Sequence, residues 1–148
     1  MLITEMTLRR ASMRDCIVIA DLSGQLGYPS TPDAIAERLT IIKRNSHHVV
    51  FVAERNNGIV GWVHVAKELH LESGTFGEVI GLVVDESHRR AGIGRCLVEA
   101  AEQWVQERGC REMRVRTNVV RERTHAFYER NGYGMKKQQK VFWKPLNK

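Results

Sequence analysis

The residues best suited to chemistry by type and spacing stand together at Arg89-Arg90-Ala91-Gly92-Ile93-Gly94-Arg95. Two glycines clear side chains from a turn, so that a ligand's phosphates can touch backbone N–H groups. Arg89, Arg90 and Arg95 add cations able to make charge-assisted bonds to phosphate oxygens. An apolar, β-branched run, Val79 to Val84, precedes the turn and ends in Asp85. After it the apolar residues Ile93, Cys96, Leu97, Ala100, Ala101, Trp104 and Val105 repeat at the spacing of a helix with one buried face. Strand, glycine-bearing basic turn and helix start together aim N–H groups and the positive end of the helix dipole at an anion. A pyrophosphate is the expected ligand. The spacing lacks the Gly-Lys-Ser/Thr of nucleotide hydrolases, and it is not the dinucleotide fingerprint, because Leu97 stands where a third glycine is needed.

Arg89-x-x-Gly92-x-Gly94 after a strand resembles the acetyl-coenzyme A signature of the GNAT superfamily of N-acetyltransferases, Gln/Arg-x-x-Gly-x-Gly/Ala. Asn118, followed by Ala126-Phe127-Tyr128 and then Gly132-Tyr133, is similar to the family's second motif. The run from Val119 to Tyr133 looks like small single-domain bacterial members that acetylate aminoglycosides or other small molecules. The order of elements resembles the family over essentially the whole chain, and the specific motifs lie between Glu78 and Tyr133. The resemblance implies an acetyl-coenzyme A-dependent N-acetyltransferase that passes the acetyl group directly to a primary amine in a ternary complex. The acceptor is expected to be a small molecule. A protein lysine or N-terminal amine is the alternative, as is a non-catalytic acyl-coenzyme A sensor.

The same resemblance implies roles. The backbone of Leu82, Val83 and Val84 would hold the pantetheine arm, with the amide near Leu82 polarising the thioester carbonyl, where negative charge develops. The turn from Arg89 to Arg95 would anchor the pyrophosphate. Asn118 would bond the pantetheine amides, Phe127 would pack against the arm, and Arg130 would approach the 3′-phosphate. Tyr128, a phenol protonated at neutral pH, would give its proton to the departing sulfur. An alkylammonium of pKa about 10.4 must lose a proton before it can attack, so a base is also needed. Glu78 stands eleven residues before Arg89, the offset at which several GNAT enzymes place a glutamate base. His64 and His70 are alternatives, since imidazole titrates in the useful range.

These side chains need a frame. Residues 3–10 read as a first strand, Ser12 as a helix cap with Asp15 in the first turn, and Thr31-Pro32-Asp33 as the start of a second helix. Val49 to Glu54 and Ile59 to Ala66 form a hairpin around Asn56-Asn57-Gly58. After the central strand and long helix, Arg108-Gly109 ends the helix and Glu112 to Thr117 alternates as a strand. Another helix, Arg121 to Arg130, closes at Asn131-Gly132, and Tyr133 to Lys144 holds enough β-formers for one or two last strands. The expected fold is mixed α/β (α+β) and GNAT-like. It has a mostly antiparallel sheet of six to seven strands with a central, splayed parallel pair, flanked by about four helices, in one domain over residues 1–148. Acceptor specificity is expected in two loops, Gln25 to Pro32 and Gly134 to Val141.

Composition excludes other classes. The 148 residues are 43% hydrophobic and 27% charged, as in a soluble globular protein, with no apolar run of membrane-spanning length and no secretory leader. A cytoplasmic location is expected, without membrane association. Net charge +6 is spread along the chain among acidic residues, with no stacking motif, so nucleic acid is not an expected partner. Cys16, Cys96 and Cys110 have no metal-ligand spacing, and His47-His48 lacks companions, so no metal is expected. Assembly as a homodimer is left open.

Overall fold

The computed structural model describes residues 6–89, 91–117 and 121–147. Arg90 and Asn118, both assigned above to the cofactor, lie outside the described residues. Two compact units are formed, Met1–Arg116 and Thr117–Lys148.

In the first unit, β1 (Met6–Arg10) is followed by a 3-10 turn (Met13–Asp15), α1 (Cys16–Gln25), α2 (Pro32–Lys43), β2 (His48–Arg55), β3 (Gly58–His70) and β4 (Gly74–Val84). A second 3-10 turn (Glu86–His88), α3 (Ile93–Gln106) and β5 (Met113–Val115) complete it. The local signals act as their chemistry dictates. The Asp15 carboxylate accepts the Ser12 N–H at 2.8 Å, and Thr31 Oγ1 accepts the Ala34 N–H at 3.1 Å, each satisfying a donor at a helical start. The β2–β3 hairpin turns at Asn56 and Asn57, which have φ of 53° and 65°. Both central residues are therefore left-handed, as a tight two-residue hairpin turn requires, and Gly58 already opens β3.

The sheet runs β1-β2-β3-β4-β5, antiparallel except for the parallel β4–β5 pair. Parallel neighbours need a crossover, and α3 supplies it. One face packs on α3 through Val63, Val65, Val79, Leu97, Ala101 and Val105; α1 and α2 cover Val50 and Val52 on the other. Close approach of α3 depends on missing side chains. A Cβ on Gly77 would lie 2.6 Å from Val105 Cγ1, and one on Gly61 would lie 3.1 Å from Leu97 Cδ1. Gly77→Ala should therefore lower the unfolding free energy by about 1–3 kcal/mol through overpacking. Equilibrium denaturation checks this, and a loss within about 0.5 kcal/mol, typical of neutral surface changes, would mean that α3 shifts without cost.

β4 carries the irregularity that matters most. His64 pairs with Gly81 and Val65 with Val79, so Ile80 is an extra residue with no opposite number in β3. Such a bulge bends its strand and increases the local twist. On the other side, β5 pairs only with Gly77, Glu78 and Val79. Beyond Val79, β4 continues along β3 alone.

In the second unit, α4 (Glu122–Arg130) ends as Asn131-Gly132 requires: Gly132 has φ 91°, and the Tyr133 N–H closes on the Tyr128 carbonyl at 2.9 Å. The described residues form five strands, fewer than the six to seven expected. The difference lies in the tail, where Tyr133 to Lys144 contributes no strand. Val141, Phe142 and Trp143 have β-forming character but remain exposed. Strand preference is realised only against a partner edge, and β5 itself is shortened from the expected Glu112–Thr117 to three residues. Among the described residues, no helix is long and apolar enough to cross a membrane.

Candidate active site

Where β4 leaves β5, its backbone is available. In an antiparallel pair only alternate residues direct both N–H and C=O at the partner, so two of the four residues Gly81 to Val84 turn theirs toward the β5 side. There the described residues provide no strand partner. The side chains of Leu82 and Val84 pack against the α3 core, and Val83 is buried. The side chains thus anchor the strand while its backbone faces a notch.

The chain then turns toward α3. Asp85 caps the 3-10 turn, and Gln25, at the last position of α1, clamps it from both sides: its Nε2 donates to Asp85 Oδ1 at 3.3 Å and its Oε1 accepts the Glu86 N–H at 3.0 Å. Burial works against the charge on Asp85, but the bonds from Gln25 and Ser87, with His88 beside it, outweigh that and hold its carboxyl below the usual range. Gly92 caps α3 with φ 78° and ψ 9°, a left-handed conformation costing other residues about 1–2 kcal/mol. The first N–H to close within this start is that of Cys96, on the Gly92 carbonyl at 3.1 Å. The N–H groups of Ile93, Gly94 and Arg95 precede it and have no partner within the helix. Ala91 and Arg89 are exposed beside them, Ile93 and Gly94 are buried, and no acidic residue occupies the first turn. Arg95 is also exposed, yet its Nε is bonded to Glu99 Oε1 at 2.9 Å along the helix surface. It must leave that partner to reach a phosphate.

Glu78 lies on β4 two residues before the bulge, in one row of the sheet with His48, Ala66 and Arg114. Its carboxylate is largely buried and meets Arg116 at 3.1 Å. That pairing fixes the orientation of the carboxylate. The histidine alternatives have different surroundings. His64 shares a 2.9 Å bond with His48, and burial, aided by the His48 charge, pushes its pKa down to about 4. It is neutral at pH 7 but holds a proton weakly. His70 is exposed at the end of β3, edge-on to Phe76 with ring centroids 4.7 Å apart.

In the second unit, Tyr128 is buried between two edge-on rings, Phe127 at 5.1 Å and Tyr133 at 5.5 Å. Burial pushes its phenol up to about 12, so it stays protonated through the physiological range. Arg130, two residues on, is exposed.

Two residues of the first unit carry no functional signal in the sequence. Gln25 opens the loop expected to select the acceptor, but nothing in its neighbours announces a clamp on a turn sixty residues away. Trp62 lies against Gly81, whose Cβ would fall 2.9 Å from its ring, and its indole N–H is buried without an acceptor. In the sequence it reads only as one more apolar residue of a strand. Cys110 carries no sign of reactivity, being buried in the core beneath α3. Among the described residues, no cluster of three His, Cys, Asp or Glu side chains could hold a metal.

Residues 17–133 match the model of the Acetyltransferase (GNAT) family. An aminoalkylphosphonate N-acetyltransferase of Salmonella typhimurium is 30% identical over 132 residues, covering 85% of this chain and 83% of that protein. An aminoglycoside N(6')-acetyltransferase type 1 of Stenotrophomonas maltophilia is 28% identical over 145 residues, covering 95% and 94%. The solved structure of aminoglycoside N-acetyltransferase AAC(6')-Iy in complex with CoA shares the fold, with TM-score 0.85 at 20% identity over 96% of this chain and 95% of that one. With the family model spanning most of its length, the chain belongs to the GNAT family of acetyltransferases and is an acetyl-coenzyme A-dependent N-acetyltransferase.

Proposed function

We propose that the chain acts as a single cytoplasmic domain that transfers acetyl from acetyl-coenzyme A directly to the primary amine of a small molecule. The observation that carries this reading is the continuity of β4 with α3: strand backbone that, among the described residues, has no neighbour on its β5 side after the bulge, then a glycine-capped helix start with open N–H groups. An amide arm laid along the first ends in a pyrophosphate at the second. The amine nitrogen, relieved of a proton by Glu78, attacks the thioester carbon, and the amide near Leu82 takes the developing oxyanion. As the C–S bond breaks, Tyr128 gives its proton to the thiolate, and the proton that the nitrogen sheds as the amide forms restores the phenol. Val83 and Val84 hold the arm, Arg89 to Arg95 with Gly92 and Gly94 hold the pyrophosphate, and Asn118, Phe127 and Arg130 serve the coenzyme from the second motif.

Charge narrows the acceptor. The chain carries +6, and Lys136, Lys137 and Lys140 crowd one of the two expected specificity loops. Positive potential attracts an amine that also bears an anionic group and repels a polycation. An aminoalkylphosphonate, the substrate class in the name of one relative, fits this better than an aminoglycoside. Thiol release over a panel of aminoalkylphosphonates, aminoglycosides and lysine peptides tests the reading. The anionic amines should give the highest kcat/KM. A preference for aminoglycosides would defeat the charge argument, a preference for peptides would favour a protein acceptor, and coenzyme binding without turnover on any amine would leave a sensor.

A further inference from the structure

Cations also gather at the opposite end of α3. β1 ends at Arg10, paired with Phe51, so the start of β2 has no β1 neighbour. A cavity of about 230 Å³ opens there, lined among others by Arg10, Lys43, Ser46, His48, Trp104 and Arg108. Three permanent cations and an imidazole line it, and none of its lining residues is a carboxylate. Trp104 is 4% exposed, and its indole N–H is buried without an acceptor. The Arg108 guanidinium stacks 4.1 Å above the Trp104 ring and donates to the Trp104 carbonyl at 3.1 Å, which fixes its position over that ring. An unsatisfied buried donor costs about 1–3 kcal/mol, a cost that an acceptor in the cavity would remove.

Cations gather at helix C-termini for their own sake, and this accounts for Lys43 and Arg108. It accounts for neither Arg10, which is on a strand, nor an unpaired N–H, which a carbonyl-rich helix end does not call for. The cavity is also smaller than the roughly 300–1,000 Å³ of sites for drug-sized ligands, so the occupant is small. We propose that the cavity lined by Arg10, Lys43, Trp104 and Arg108 binds a phosphate-class oxyanion. It is separate from the coenzyme site: Trp104 lies twelve residues beyond Gly92, about 18 Å along the helix at about 1.5 Å per residue.

Calorimetric titration of inorganic phosphate into the full chain saturated with coenzyme A, at constant ionic strength, tests the site with the other anion site filled. One equivalent should bind at millimolar concentration. The surface double variant Arg10→Gln/Lys43→Gln should bind at least tenfold more weakly, with coenzyme affinity unchanged, and Trp104→Phe should weaken phosphate while keeping the packed ring. Methyl phosphate identifies the source: equal affinity points to the phosphoryl group of a metabolite, weaker affinity to free phosphate, and both uphold the site. The proposal is overturned by no binding at 20 mM, by equal binding in the double variant, by loss of binding once coenzyme A is present, or by tighter binding of succinate than of phosphate.

Discussion

Tyr128→Phe should lower kcat by about 10²–10⁴-fold, the usual contribution of a positioned proton donor, with acetyl-coenzyme A affinity near that of the unaltered chain. The substitution removes one hydroxyl and keeps the ring, so the edge-on packing with Phe127 and Tyr133 persists. Burial raises the phenol pKa, favouring the neutral form, and at about 12 the donor remains protonated well beyond pH 9. An alkaline fall in rate below that range therefore belongs to another group. Stopped-flow rates of thiol release, set beside calorimetric binding of the coenzyme, separate the two effects. If kcat is unchanged, Tyr128 is not the acid; if affinity falls with kcat, its role is to hold the coenzyme.

Glu78→Gln should depress the rate most at low pH. An amine of pKa about 10.4 is neutral in only roughly one molecule in 2,500 at pH 7, and roughly one in 25 at pH 9. A chain without its base must wait for that fraction, so its deficit should shrink by up to about 100-fold across those two pH units. The ion pair with Arg116 sharpens the test. If the pair serves only to orient β4 and the residue after β5, the loss in Glu78→Gln will be the same at every pH. A pH–rate profile from 6 to 9 distinguishes the two roles.

Much of the donor side was legible in the sequence because its signals are local. Gly92 must adopt a left-handed backbone, Ile93 to Val105 repeat at helical spacing, and Asn131-Gly132 ends α4; each is a statement about a few adjacent residues. Strand identity in the tail is not legible for the complementary reason. Val141, Phe142 and Trp143 are good β-formers, but a strand requires an edge, and no edge is encoded in the segment itself.

The sequence by itself therefore determined which donor the chain uses, because the motif that marks it is a run of contiguous residues with glycine where side chains would intrude. Only the tertiary structure decided how the neighbouring residues are held. The bulge at Ile80 is a mismatch between two strands, the Gln25 clamp joins α1 to a turn sixty residues away, Arg116 reaches Glu78 across a parallel pair, and burial beside His48 weakens His64 as a base. Each depends on register and burial, which arise from contacts between distant segments and leave no pattern within any one of them.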